Sequence, residues 1–242
     1  MTVAVVIPAL DEEASIAEVV QTLPSALIGE IVVCDNGSVD ETAARARAAG
    51  ATVIAAARRG YGSACLAGLR YLAERPAGPP DVVVFVDADR SDRPEELPLL
   101  LAPIHEGRAD LVIGSRVLGA AEKGAMTLPQ RFGNRLAAVL IRALYGARVT
   151  DLGPFRAITW SALQRLAMRD PDYGWTVEMQ VKAIKAGLRT VEVPVTYRRR
   201  VGRSKISGTV RGVLGAGWKI LGTIALEAVR PPSPPGKPSP PV

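Results

Sequence analysis

Asp81-Val82-Val83-Val84-Phe85-Val86-Asp87-Ala88-Asp89 places an unbroken run of apolar residues directly before two carboxylates. Such a run predicts a strand buried on both faces, the pattern of a parallel sheet. Paired carboxylates on the turn that follows can hold a hard divalent cation, Mg2+ or Mn2+, which bridges two phosphates of a nucleotide. The motif alone has a second reading, the start of a helix capped through Ser91 and Asp92 ahead of Pro94.

Outward from this run, short apolar segments alternate with amphipathic ones. The patterns predict strands over Val3–Ile7, Glu30–Cys34, Thr52–Ala56, Asp81–Val86 and Asp110–Ile113, with helices over Glu13–Leu23, Asp40–Ala49, Gly62–Ala73 and Pro94–Glu106. This order builds an α/β fold whose sheet is mainly parallel and carries helices on both faces. Ligands of such sheets bind beyond the carboxyl ends of the strands. Three loops are thereby selected: Pro8-Ala9-Leu10-Asp11-Glu12-Glu13, Asp35-Asn36-Gly37-Ser38 and Asp87-Ala88-Asp89. Ser38 and Glu41 have the spacing of a capping box for the second helix. The second half reads as a helix over Pro129–Tyr145, a strand over Phe155–Ile158, a helix over Thr176–Ala186 and a strand over Thr190–Val195.

The chain has 242 residues with 30 Lys+Arg against 24 Asp+Glu, a net charge of +6. Arg198, Arg199, Arg200, Arg203, Lys205 and Arg211 account for that whole excess and have no acid among them. A local basic segment suits a polyanionic partner such as phosphate or anionic lipid. Cys34 and Cys65 are too few for a disulfide framework and sit in apolar patterns, which favours reduced thiols and a cytosolic setting. The first residues lack the basic start and long apolar stretch of a signal peptide and read as a first strand. Gly212–Ala228 is apolar or small apart from Lys219 and Glu227, yet shorter than the roughly 20 residues that cross a bilayer. A catalytic unit is expected over 1–211, an apolar or amphipathic helix over 212–230, and a disordered proline-rich tail over 231–242.

Two weaker signals accompany the acidic turn. Asp35, at a strand end, can accept hydrogen bonds from a base or a ribose, or close an Asx-turn. Gly60-Tyr61-Gly62, flanked by Arg58 and Arg59, precedes a helix and lets backbone approach a phosphate or base. The dinucleotide and Walker glycine patterns are absent, since Leu66 and Ala67 follow Cys65 where a third glycine belongs.

Together these segments resemble the family-2 glycosyltransferases of GT-A fold, particularly the polyprenyl-phosphate (dolichyl-phosphate) mannosyl- and glucosyltransferases, over roughly residues 3–211. The resemblance implies a Rossmann-like mixed sheet. It also implies that Pro8, Ala9, Leu10 and Glu12 close over the nucleotide, that Asp35 meets base or ribose, and that Gly62 lies at the donor. Asp87-Ala88-Asp89 matches the family's metal turn, with Asp87 and Asp89 as ligands. Asn36 stands where the family usually has an acid, and Ser91 where the lipid-phosphate members often carry Gln. Gly114-Ser115-Arg116, Gln130-Arg131-Phe132-Gly133-Asn134, Asp151-Leu152-Gly153-Pro154-Phe155-Arg156 and Arg200-Val201-Gly202-Arg203-Ser204-Lys205 look like family segments that engage phosphates.

The implied reaction is inverting, metal-dependent transfer of a hexose from UDP-glucose or GDP-mannose to a polyprenyl phosphate. Asp89 and the metal stabilise the leaving diphosphate, while Arg116, Arg131, Arg200 and Lys205 orient the phosphate nucleophile. A phosphate with a second pKa of about 6 needs no general base. A hydroxyl acceptor, the alternative, requires a carboxylate base, for which Asp151 and Glu178 are the candidates. His105, the only histidine, is expected to be exposed. Peripheral contact with the inner face of the cell membrane is expected through Gly212–Ala228. Nucleic acid is not an expected partner, and a mere polyanion-binding module would leave the strand-end acids unexplained.

Overall fold

The computed structural model describes residues 1–202 and 221–228. The apolar runs form β1 (Val3–Ala9), β2 (Glu30–Asp35), β3 (Thr52–Ala55) and β4 (Val82–Phe85), all parallel. The chain returns through α1 (Ile16–Thr22), α2 (Thr42–Ala48) and α3 (Tyr61–Glu74), and leaves β4 through α4 (Leu97–His105). β5 (Leu111–Ala121) and β7 (Thr190–Tyr197) are parallel to each other, and β6 (Arg156–Thr159) runs antiparallel between β4 and β5. The sheet order is β3-β2-β1-β4-β6-β5-β7, so it is mixed and mainly parallel, as expected.

Both faces of this sheet are covered, which is why its strands read as continuous apolar runs. Val3, Val5 and Ile7 of β1 pack with Ile16, Val19 and Val20 of α1 and with Leu97 and Leu100 of α4. Ala4 and Val6 point the other way, toward Ala64, Cys65 and Leu72 of α3. Cys34 and Cys65 are buried free thiols in that second layer. Burial pushes Cys34 up to about 12 and raises Cys65 as well, so neither behaves as a nucleophile at neutral pH.

Three details depart from the sequence reading. Ser38 does not cap α2: its hydroxyl accepts from Asp11 N, and the Asp40 carboxylate accepts from Thr42 N at the helix start instead. β5 continues beyond Ile113 to Ala121, since a register shift after Ser115 lets Ala120 and Ala121 pair with Thr196 and Tyr197 of β7. That pairing is non-local, and Val117 and Leu118 within the extension are exposed rather than buried. α6 (Trp160–Leu166) forms where no helix was expected, with the Thr159 side chain capping its start.

The remaining layer is helical. α5 (Leu128–Tyr145) opens with a reciprocal capping box between Thr127 and Gln130, the T-x-x-Q spacing that marks a helix start. Its Ala137 and Ile141 pack with Val177 and Val181 of α7 (Trp175–Lys185) and with Ile224. Residues 221–228 form a last helix, α8, tied down by Tyr145 Oη donating to the Ile224 carbonyl at 2.7 Å. The described part of Gly212–Ala228 thus packs on the domain rather than standing apart from it. Lys205, Arg203, Arg211 and the 231–242 tail lie outside the described residues. No helix among the described residues is long and apolar enough to cross a membrane.

Candidate active site

The loops after β1, β2 and β4 meet at one edge because the register sets Ala9 beside Asp35 and Val6 beside Phe85. Several bonds stitch the first two loops together. Asp11 N donates to Ser38 Oγ at 3.0 Å, Val39 N to Asp11 Oδ1 at 2.8 Å, and Glu12 N to Thr42 Oγ1 at 2.8 Å. Asp11 reaches this geometry with a left-handed φ of 49°, a conformation aspartate tolerates better than most residues. Above them opens a cavity of about 460 Å³ whose wall includes Pro8, Ala9, Leu10 and Glu12 from the β1 loop and Asp87, Ala88 and Asp89 from the β4 turn. Tyr61, Asp172, Tyr173 and Arg200 complete it from other parts of the chain.

Within this cavity the β4 turn is held from several sides. Tyr61 Oη donates to Asp87 Oδ1 at 3.0 Å, and Ser91 N donates to Asp89 Oδ1 at 2.9 Å. Arg200 lies 3.3 Å from Asp89 Oδ2 and 3.1 Å from Glu12 Oε1. Main-chain bonds from Val201 N to the Asp89 carbonyl and from Arg198 N to the Ser91 carbonyl fasten the segment after β7 to the turn. The helix-start reading of Ser91 and Asp92 is not realised: the short turn at Pro94–Glu96 has no side-chain cap.

The chemistry of this turn fits a divalent cation. Burial, and next the neighbouring Asp89 carboxylate, push Asp87 up to about 7. Burial, followed by Asp87 and Asp89, likewise raises Asp92, whose buried Oδ1 has no hydrogen-bond partner. Hard oxygen donors that destabilise one another in this way are relieved by a hard cation. Among the described residues no cluster of three or more His, Cys, Asp or Glu forms a closed metal cage. Asp87 and Asp89 therefore suit an ion that takes two carboxylates from the protein and the rest of its shell from water and substrate phosphate, as Mg2+ does.

Several expected site residues fall elsewhere. Asp35 accepts from Ser38 N, three residues on, at 3.2 Å and is not among the residues lining the cavity. Its neighbour Asn36 does line it, donating from Nδ2 to the Arg58 carbonyl and accepting at Oδ1 from Gly60 N, both at 2.7 Å. Only an amide can do both, which accounts for Asn36 in place of an acid. Gly62 is buried below the rim, where a Cβ would lie 1.9 Å from the Asp170 carbonyl oxygen. Its role is to let α3 meet the 170–173 loop, so that Asp172 and Tyr173 reach the cavity. Gly62→Ala is expected to cost about 1–3 kcal/mol by overpacking and to weaken nucleotide binding, which a melting curve with and without nucleotide checks.

The two carboxylates considered as a base are both committed. Asp151 is fully buried and accepts from Nε and one terminal nitrogen of Arg116 at 2.8 and 2.7 Å, and Arg116 N also donates to it at 2.7 Å. Glu178 is buried against Lys182 and accepts from Arg169 N and Asp170 N, which shapes the loop that carries Asp172. Neither is placed to take a substrate proton. His105 is exposed at the end of α4, away from the site.

Arg116 and Arg131 line a second cavity of about 730 Å³, and Arg200 does not join them there. Arg135, Arg142 and Arg148 belong to the same wall. Burial works against the Arg116 charge, but Asp151 overcomes it and holds the guanidinium above its ordinary value. Tyr197 supports it from below, with the ring centroid 5.0 Å from Cζ. Tyr197 is followed by Arg198, whose N–H donates to the Ser91 carbonyl, so Arg116 stands on the side of its cavity next to the β4 turn. Sequence reasoning missed Tyr61, Asp172 and Tyr173; Gly60-Tyr61-Gly62 held the signal for Tyr61, while the other two depend on a long-range contact.

A mainly parallel sheet that presents paired carboxylates beside a nucleotide-sized cavity is the arrangement of a GT-A glycosyltransferase. The chain belongs to glycosyl transferase family 2, whose description matches residues 4–169. It is 33% identical over 224 residues to an undecaprenyl-phosphate mannosyltransferase of Micrococcus luteus, covering 88% of this chain and 90% of that protein. A dolichyl-phosphate hexose transferase of Haloferax volcanii is 34% identical over 210 residues, covering 84% and 86%. Among solved structures, glucosyl-3-phosphoglycerate synthase from Mycobacterium tuberculosis in complex with Mn2+, UDP-glucose and phosphoglyceric acid superposes with a TM-score of 0.75 at 26% identity, covering 95% of this chain and 80% of that one. The protein is a glycosyltransferase enzyme.

Proposed function

We propose that this enzyme transfers a hexose, with inversion, from UDP-glucose or GDP-mannose to a polyprenyl phosphate at a membrane surface. The observation that carries the reading is the position of Arg116, which lines the arginine-walled cavity and stacks 5.0 Å over Tyr197, whose neighbour Arg198 is hydrogen-bonded to the carboxylate-bearing turn at Ser91. A phosphate held at Arg116 and Arg131 would lie beside a sugar whose diphosphate occupies the Asp87–Asp89 cavity. A divalent cation on Asp87 and Asp89 supplies charge neutralisation of the departing diphosphate. Arg200, paired with Glu12 and Asp89, belongs to this donor side, so its expected role at the acceptor is reassigned to the leaving group. The names of the polyprenyl-phosphate relatives support the acceptor class.

A phosphate nucleophile is already ionised near neutral pH, which agrees with the commitment of Asp151 and Glu178 to ion pairs. Asp172 is a carboxylate that lines the donor cavity and remains the place where a base for a hydroxyl acceptor would stand. Asp172→Asn should therefore leave kcat with polyprenyl phosphate within about tenfold, whereas a hydroxyl acceptor would lose the 10²–10⁴-fold, roughly, that a general base contributes. Measuring both rates with the same donor decides it; a collapse of transfer to the phosphate overturns the base-free mechanism.

A further inference from the structure

α5 turns one face to the domain and another to solvent. Ala137 and Ile141 are fully buried, while Leu128, Phe132 and Val139 are 80%, 70% and 57% exposed. Spacings of four and seven residues put these three on a single stripe opposite the packed side. Arg135 and Arg142, also seven apart, run along the adjoining line, and both are exposed, as is Arg131. α5 contains no carboxylate, and among the described residues none of these arginines takes part in an ion pair. Exposed apolar residues aligned along one helix face mark an interaction surface.

Two further facts choose that partner. Val139 and Val117, the latter 56% exposed, both lie on the rim of the second cavity, whose wall is the arginine cluster. The cavity thus has a cationic wall and an apolar lip, the sequence of surroundings that an anionic amphiphile meets as it leaves a bilayer. A helix with an apolar stripe beside arginines is also the form that lies in the interface plane of an anionic membrane. We propose that the outer face of α5, with Val117 beside it, docks this protein on an anionic lipid bilayer and brings the mouth of the second cavity against the headgroups. The proposal rests on the lipid-phosphate reading of the acceptor and names the surface that reading requires.

Co-sedimentation of the full chain with phosphatidylcholine vesicles, with and without phosphatidylglycerol, tests it. The protein should sediment with the anionic vesicles, remain free of the neutral ones, and be released by salt. Arg135→Glu with Arg142→Glu, and separately Phe132→Ser, should each weaken partitioning by about tenfold or more, since a basic residue near such a surface contributes about fivefold. Both variants should keep the thermal stabilisation given by UDP and Mn2+, which reports an intact donor site. Equal sedimentation of wild type and variants overturns the proposal, as does a lipid-free dimer in light scattering that Phe132→Ser dissociates. Transfer to a short, water-soluble prenyl phosphate reads the acceptor assignment separately. The Phe132 variant should retain that transfer, and its loss would mark the stripe as part of the catalytic fold rather than a docking face.

Discussion

Asp89→Asn should reduce kcat by about 10²–10³, the scale on which one group aimed at a developing charge contributes to a transition state. The substitution preserves the acceptor for Ser91 N, so the turn after β4 keeps its shape. What it removes is the negative charge that faces Arg200 and, with Asp87, would hold the cation. Thermal stabilisation by UDP should then lose its dependence on Mn2+, while the melting temperature without ligand changes little. Full activity in a folded Asp89→Asn protein would show that the turn only supports the loop after β7.

Arg116→Ala should have the largest effect on stability. It leaves the Asp151 carboxylate buried with only the Arg116 main-chain N–H as a described donor in place of a bidentate partner. Breaking one side of a buried pair costs about 3–5 kcal/mol. Loss of the guanidinium should also raise KM for the phosphate acceptor by about 10–100-fold, the equivalent of one charge-assisted hydrogen bond. The two effects separate in the double variant Arg116→Met with Asp151→Asn. The amide keeps an acceptor for Arg116 N without an uncompensated charge, so denaturation midpoints should recover while acceptor KM stays high. Recovery of KM together with stability would assign Arg116 a structural role only.

The donor half of the site was largely legible because it follows from strand ends. A buried run such as Val82–Val86 declares where it stops, and a parallel sheet puts all such stops on one edge, so Pro8, Asp87 and Asp89 could be grouped from sequence alone. What lay beyond the reading depends on tertiary contact. Asp172 reaches the cavity because Gly62, remote in sequence, admits the Asp170 carbonyl against α3 and because Glu178 of α7 accepts its neighbours' N–H groups. Arg200 and Arg116 were both expected to bind anions, but charge alone does not say which cavity each faces. The non-local pairing of β5 with β7 brings Tyr197 beneath Arg116 and then carries the chain to Arg200 over Asp89. Asp151 and Glu178 show the converse limit: an acid in a promising motif can be consumed by a buried ion pair that spacing does not reveal.

The two-cavity account is tested most directly by supplying labelled UDP-glucose and GDP-mannose, each with polyprenyl phosphate, and following label into the organic phase. The account predicts transfer from one of these donors that requires both Mg2+ or Mn2+ and the phosphate, with none to the corresponding polyprenol. Metal-independent transfer, or label passing to polyprenol or a small phosphorylated acid while polyprenyl phosphate stays unlabelled, would contradict it.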